Sequence, residues 1–310
     1  MIPTELQAVL DLLPNPASEI AQLGGPGRPW SVRYGHTHAV LRRNDPRRFR
    51  DFGQSEDVAL ASVIWLHDVL RDLADLGLAA PTPIAGLAGR SVAVVDGTIW
   101  ELLTHVPGLP MGWTDDDMHA AGALLARFHQ SSLALPLRPQ RPGAQPFSEC
   151  RPAHPAARNA RDAFERELQE IEHDVAPRGV IHGDATQSNV VIDRGAYRLV
   201  DFAIAYQDTL LADVGSALWR NGRASPDAVT YDPGRAATFV RGYAAVRSLP
   251  PEAGRAIVVY MTGRGLQLQS RLELRRGADE TIIERLRSIE AQQAELESAV
   301  TVALNGPGRR

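Results

Sequence analysis

Between His182 and Asp201 stand three polar groups whose types and spacing suit phosphoryl transfer: Asp184, Asn189 and Asp201. That chemistry asks little covalent help of a protein. It needs a base beside the acceptor hydroxyl and oxygen ligands for a cation at the phosphates. Asp184 can be the base. Asn189 and Asp201 offer the oxygens that magnesium, a hard cation, takes. His182, two residues before Asp184, is the other catalytic candidate of the loop. The elements that must position these groups can also be read. The runs 190–193 and 197–200 have strand character. Arg194-Gly195-Ala196 links them, and Gly195 tolerates the positive φ of a tight hairpin loop. Asn189 and Asp201 lie equally far from Gly195. Folding the hairpin should therefore return them side by side at its open end.

A lone His-x-Asp or Asp-Phe carries almost no information. The combination H-x-D-x-x-x-x-N, hairpin, D-F resembles the catalytic and metal-binding segments of the protein-kinase-like fold. His182-Gly183-Asp184 has Gly where protein kinases have Arg. It resembles the aminoglycoside phosphotransferase and choline kinase superfamily, whose members phosphorylate small molecules. The resemblance implies an α+β bilobal fold: an antiparallel-sheet N-lobe over residues 1–103 and a mainly helical C-lobe over 104–310. It implies ATP and Mg2+ as cofactors, Asp184 as base, and Asn189 and Asp201 as metal ligands. Asp213, before the next helix, resembles the family Asp that steadies the catalytic loop; its plainer role is a helix N-cap. No long activation segment and no Ala-Pro-Glu follows Asp201, which argues against a regulated protein kinase.

The N-terminal part reads as follows. Leu6, Val9, Leu10 and Leu13 mark a short amphipathic helix that Pro14 and Pro16 end. Gly24-Gly25-Pro26-Gly27 is a turn-rich loop before strands at Trp30–Tyr34 and His38–Arg42, an order similar to the nucleotide-covering hairpin of kinases. Val40-Leu41-Arg42 stands where the family has Val-Leu-Lys or Val-Leu-Arg, so the resemblance puts Arg42 on the α- and β-phosphates. All 33 basic residues of the chain are arginine, so a cation there has to be an arginine. A solvated strand arginine, like Arg43, is the bland alternative. Residues 56–76 read as a long helix. The family pairs the strand cation with a helix Glu, but the expected place, Ile64 to Leu66, holds no acid. Glu56 is the nearest candidate, and the pairing is left open. Val92–Val95, Asp96-Gly97 and Thr98–Thr104 form a hairpin. The resemblance makes its second strand the link between lobes, with backbone groups of Glu101, Leu102 and Leu103 on the adenine edge.

Beyond that link, residues 115–131 form a helix ending at His129, whose expected role is structural. The Pro-rich stretch 132–158 reads as a loop crossing the C-lobe. Residues 159–173 make a polar helix. Asp279 opens a helix with Ile282, Leu286, Ile289, Leu296 and Val300 on one stripe, expected to pack on the C-lobe.

Composition excludes several classes. The chain of 310 residues is 44% hydrophobic, enough for a sizeable core. Net charge is −4 and pI about 6.1, with no basic run, which argues against nucleic-acid binding. The single Cys150 rules out an internal disulfide framework and fits a reducing cytoplasm. The N-terminus does not read as a signal peptide and no run reaches the length of a membrane span, so no membrane partner is expected. The expected reaction is transfer of the γ-phosphoryl of ATP to a hydroxyl of a small molecule. Asp208 and the Glu-rich helices would suit a cationic aminoglycoside or amino alcohol. A metabolic kinase of homoserine, choline or a sugar is the alternative, and a nucleotide-binding pseudoenzyme acting through partners is the other class. Oligomeric state is not legible.

Overall fold

A computed structural model describes residues 3–24, 29–44, 55–171 and 177–306. Most of the Gly24–Gly27 loop lies outside the described residues. The chain divides into two compact units: Met1–Pro107 with Arg141–Gly143, and Gly108–Gln140 with Ala144–Arg310.

The first unit is a five-stranded antiparallel sheet with a helix on each face. The strands are β1 (Ala17–Gln22), β2 (Trp30–Tyr34), β3 (Thr37–Asn44), β4 (Val92–Val95) and β5 (Thr98–Thr104), in the order β1-β2-β3-β5-β4. Alternation of side chains sorts the two faces. Val32, Tyr34, Ala39, Leu41, Trp100 and Leu102 form a core with Leu6, Val9, Leu10 and Leu13 from and just after α1 (Thr4–Leu10). Ile99 on the opposite face meets Ala59 and Val63 of α2 (Glu56–Asp75). Ser55 caps α2 by accepting from the Val58 N–H at 3.3 Å. Strand β1 was not expected from the sequence: it is an edge strand with mostly exposed residues, so no apolar alternation announces it.

The break between units falls later than residue 103 for a physical reason. Thr104 is still a ladder partner of Ala39, and the His105 N–H donates to the His38 carbonyl at 3.2 Å. The Pro-rich loop also returns to this unit. Arg141 Nε donates to Ser62 Oγ at 2.7 Å, and its guanidinium lies 6.0 Å from the centre of the Trp65 ring.

The second unit is mainly helical: α3 (Asp115–Leu133), α4 (Pro155–Glu170), α5 (Leu210–Asn221), α6 (Pro233–Val246), α7 (Ala253–Arg276) and α8 (Glu280–Leu304). Two small sheets accompany the helices, one of β7 (Arg178–Ile181) with β10 (Tyr206–Thr209), the other of β6 (Leu109–Pro110), β8 (Val190–Asp193) and β9 (Ala196–Leu199). Thr114 and Asp117 close a capping box on α3. Asp279 caps α8, whose Ile282, Leu286, Ile289, Leu296 and Val300 are buried as the stripe requires. The protein is thus mixed helix and sheet, an antiparallel sheet plus a helical part. No helix among the described residues is long and apolar enough to cross a membrane.

Candidate active site

The loop 182–189 is built on Asp213, in the first turn of α5. This carboxylate is fully buried and accepts three hydrogen bonds: the His182 N–H at 2.7 Å, the Gly183 N–H at 2.8 Å and His129 Nε2 at 3.0 Å. Burial alone would raise the acid's pKa; the His129 hydrogen bond and the backbone donors outweigh it and hold Asp213 low, hence ionised. Asp213 is therefore not an N-cap; Thr209 occupies that position. His129 donates Nε2–H to Asp213, so its Nδ1 accepts from Tyr243 Oη at 2.7 Å, tying α3, α5 and α6 together. Burial lowers the His129 pKa, in keeping with a neutral ring.

Gly183 takes φ of +77°, and a Cβ there would approach the Ile204 carbonyl to 3.1 Å. Both facts exclude an L side chain at low cost, which accounts for Gly in His-Gly-Asp. The His182 ring is wholly buried. Its Nε2–H donates to the Val200 carbonyl at 3.0 Å, and its Nδ1 accepts the Asp184 N–H at 3.2 Å. Expected among the catalytic residues, His182 instead uses both ring nitrogens on backbone, so it positions the loop against the end of the hairpin and has no nitrogen left for a substrate.

Asp184 is partly exposed and held from two sides. Asn189 Nδ2 donates to its Oδ2 at 3.0 Å and to its main-chain carbonyl at 2.9 Å. These acceptors fix which end of the Asn189 amide is nitrogen, and they leave the amide oxygen as the group that can meet a cation. Arg264 of α7, itself buried, donates from Nη2 to Asp184 Oδ1 at 2.9 Å. Gln267 holds the other arm of Arg264.

The hairpin is tighter than the sequence suggests. Asp193 pairs with Ala196, so only Arg194 and Gly195 form the turn, at φ of +51° and +80°. Two positive φ values are the signature of a type I′ turn, and Ala196 belongs to β9. The symmetry axis shifts by half a residue, and Asn189 faces Val200, whose N–H donates to the Asn189 carbonyl at 2.9 Å. Asp201 is one residue further on, in the left-handed region at φ of +59°, a conformation Asp tolerates better than most residues. The two candidate ligands are an amide oxygen and a carboxylate, both hard donors. Among the described residues no cluster of three or more His, Cys, Asp or Glu could hold a metal. That donor set fits magnesium, which is commonly held by one or two carboxylates and completed by phosphates and water.

Beside Asp184 the second unit has a cavity of about 360 Å³, walled by Trp219 and Arg220 of α5, Arg264 of α7, and Thr281, Ile282 and Arg285 of α8. Asp208, expected near the site, is not among its walls. It is buried, accepts from the Thr209 N–H at 2.8 Å, and has its pKa raised by burial. A larger cavity of about 600 Å³ lies among α4, α7 and α8, and no residue of the 182–189 loop lines it.

In the first unit, the acid that pairs with Arg42 is Glu101, its ladder partner on β5: Arg42 Nε lies 2.6 Å from Glu101 Oε1. Asn44 donates to the same oxygen, and His67 Nε2 of α2 donates to Oε2 at 2.9 Å. His67 Nδ1 lies 2.9 Å from Ser91 Oγ. The helix thus contributes a histidine one residue past the stretch searched for an acid. Glu101 is wholly buried. Burial alone would raise its carboxyl; the Arg42 charge and the His67 hydrogen bond reverse this and hold it well below the carboxylate range. The backbone groups expected to face adenine are taken by the sheet. Glu101 and Leu103 pair with Arg42 and Val40, while Leu102 donates to Ser91 and accepts from Ile84, each at 2.9 Å. The Thr104 N–H is likewise taken by Thr82 at 2.8 Å.

Arg264 and Glu101, as side-chain partners of Asp184 and Arg42, are the residues the sequence reading missed. An acid on the strand that pairs with the Arg42 strand was the one signal present.

The chain matches the sequence profile of the phosphotransferase enzyme family over residues 27–249. It is similar to the homoserine kinase of Brucella anthropi, 29% identical over 213 residues, 64% of each chain. It is similar also to that of Methylobacillus glycogenes, 30% identical over 200 residues, 60% of each. The match thus spans less than two thirds of these relatives' length. Among solved structures, the microcompartment-associated aminopropanol kinase superposes with a TM-score of 0.67 at 19% identity, covering 96% of this chain and 98% of that one. An amicoumacin kinase in complex with AMP-PNP, Ca2+ and Ami gives 0.67 at 16% identity, covering 96% and 91%. An aminoglycoside phosphotransferase in ternary complex with ADP and hygromycin B gives 0.63 at 15%, covering 94% and 98%. These likenesses speak for the fold. The profile match spans the His182 loop, both candidate metal ligands, Asp213 and the Arg42 strand, and the chain belongs to the phosphotransferase enzyme family.

Proposed function

We propose that this protein is a small-molecule kinase that transfers the γ-phosphoryl group of ATP to a hydroxyl. The observation that carries the reading is the state of Asp184, a carboxylate held by Arg264 and Asn189 at the edge of a ligand-sized cavity. Asp184 orients the acceptor hydroxyl and takes its proton as the oxygen–phosphorus bond forms and the bond to the ADP oxygen breaks. Asn189 and Asp201 would hold Mg2+, which would neutralise phosphate charge when bound. Asp213, His129 and His182 fix the loop, so little reorganisation is left for the reacting complex. Arg42, aligned by Glu101, serves the phosphates as a planar, permanently charged fork. A missing partner for Arg42 would favour a chain that binds nucleotide without turnover. Glu101 supplies that partner from the strand, which supports the reading of an active kinase. The single buried thiol of Cys150, pushed up to about 11 by burial, suits a cytoplasmic protein with no thiol chemistry. Turnover of labelled ATP with a panel of hydroxyl compounds tests the proposal; absence of transfer to every acceptor would refute it.

Two variant pairs test the roles. Asp201→Ala and Asn189→Ala should both raise the magnesium concentration needed for half-maximal rate, by about tenfold or more. Asp201→Ala should do so further, because a carboxylate contributes charge as well as an oxygen. Persistent activity of either variant in chelator would overturn the metal assignment. Arg42→Ala should raise the KM for ATP by about tenfold or more, since a charge-assisted hydrogen bond is lost. Arg43, on the opposite face of β3 with its guanidinium 3.6 Å from Glu5, should be nearly silent as Arg43→Ala. The reverse pattern would move the phosphate cation to the other face of the sheet.

A further inference from the structure

The cavity beside Asp184 is positively charged in a way its surroundings do not balance. Arg264 is matched by Asp184. Asp279, another wall residue, is matched by Arg276 at 2.9 Å and uses its second oxygen to cap α8. Arg220 and Arg285 remain, and neither has an acidic partner among the described residues. Arg285 also keeps a buried Nε that donates to nothing. A buried donor without an acceptor costs free energy unless something outside the chain supplies one. Arg223, one turn from Arg220, adds a third guanidinium. Arg223 is not a wall of the cavity; burial first, and then the charges of Arg285 and Arg220, lower its pKa to about 10 against the opposing charge of Asp227. Two arginines without acidic partners, one of them with an unfilled buried donor, line one cavity, an arrangement that an oxyanion would relieve. Arginine's fork matches such a group bidentately. Trp219 and Leu268 supply apolar walls for a short carbon chain.

We propose that the acceptor is a small hydroxy compound bearing an oxyanion, a carboxylate foremost, which Arg285 and Arg220 bind so that its hydroxyl reaches Asp184. This inference rests on the phosphotransfer reading and narrows it. It runs against the cationic acceptor that the acidic residues of the sequence suggest, because the acids concerned are not in the cavity. Arg264 is engaged with the base, so the substrate's charge falls to the two arginines that have no acid of their own.

The test measures binding and transfer separately, on the full chain. Calorimetry follows binding of glycerate, malate and homoserine, of their amides, of glycerol phosphate and of ethanolamine, with wild type, Arg285→Gln, Arg285→Lys and Arg220→Gln. Phosphorus NMR follows transfer from ATP to the same compounds and to kanamycin. The expected result is preference for the carboxylates over their amides, with affinity down at least about tenfold in Arg285→Gln and partly kept in Arg285→Lys. Unchanged melting temperature and ATP affinity would show that the loss is local. Preference for glycerol phosphate would keep the oxyanion and replace carboxylate by phosphate. Binding of the acids without transfer to any compound would sustain the anion site and sink the kinase reading. Transfer to ethanolamine or kanamycin that Arg285→Gln leaves untouched, without binding of any anion, would sink this inference and sustain the kinase. Neither binding nor transfer would sink both.

Discussion

Asp184→Asn is expected to cut turnover at least about a hundredfold, the usual worth of a general base, with nucleotide affinity nearly unchanged. The substitution keeps shape and removes charge. An Asn at 184 can still accept from the Asn189 amide or from Arg264, but its own NH2 must then face the other donor. Arg264 also loses the counter-charge for a guanidinium side chain only 5% exposed. A stability loss should therefore accompany the rate loss, and the two must be separated. Thermal melts with and without ATP give the first, and single-turnover transfer well below the melting temperature gives the second. Near-normal transfer in a folded variant would mean that catalysis is positioning alone, or that the proton goes elsewhere.

Glu101→Gln is expected to destabilise the first unit by about 3–5 kcal/mol, the cost of removing one partner from a buried ion pair. Arg42 would keep its charge beside a neutral amide, and His67 and Asn44 would lose a carboxylate acceptor. Hydrogen exchange along β3, β5 and α2 should report the loss there and not in α7 or α8; equal protection in both proteins would contradict it. The pH dependence has a definite sign. Glu101's folded pKa is depressed, so its contribution is present above the unfolded glutamate value of about 4.3. It is lost progressively as pH falls from there toward the folded value. Wild-type protection factors in β3 and β5, corrected for the intrinsic exchange rate, should fall below about pH 4, and the Gln variant should lack that limb. Because Glu101 aligns Arg42, the variant should also share part of the Arg42→Ala rise in KM for ATP.

The legible parts of this protein are local in sequence. The β4–β5 hairpin, the long helix after Ser55 and the α8 stripe follow from turn residues, caps and periodicity, whereas the mixed fold is what the resemblance of the His182–Asp201 motifs implies. The groups of the His182–Asp201 stretch could be named because a hairpin and a short loop tie them together. The misplacements have physical causes. A turn containing Gly195 can hold two or three residues, and only the left-handed φ of Arg194 decides for two. The adenine edge was placed on residues whose backbone bonds a central strand must use within its ladders, which the strand order reveals and its sequence does not. Arg264 escaped notice because α7 buries Ile257, Val258, Met261, Arg264 and Gln267 around much of its circumference. Without an apolar stripe, no periodicity marks an inward arginine. Its partner also lies 80 residues away.

The walls of the arginine-lined cavity bear on how such a protein can change. Arg264, Thr281, Ile282 and Arg285 all lie beyond residue 249, where the family match stops, whereas Asp184, both candidate metal ligands and the Arg42 strand lie within it. The cavity is therefore only partly covered by the family match: Trp219 and Arg220 lie within it, Arg285 and the other walls from α7 and α8 beyond it. A lineage could alter the acceptor by changing side chains on α7 and α8 without touching the stretch that carries Asp184, Asn189 and Asp201. Arg264 is the exception: it belongs to the later stretch yet holds Asp184, so drift there would be felt as lost rate before it could be used as new taste.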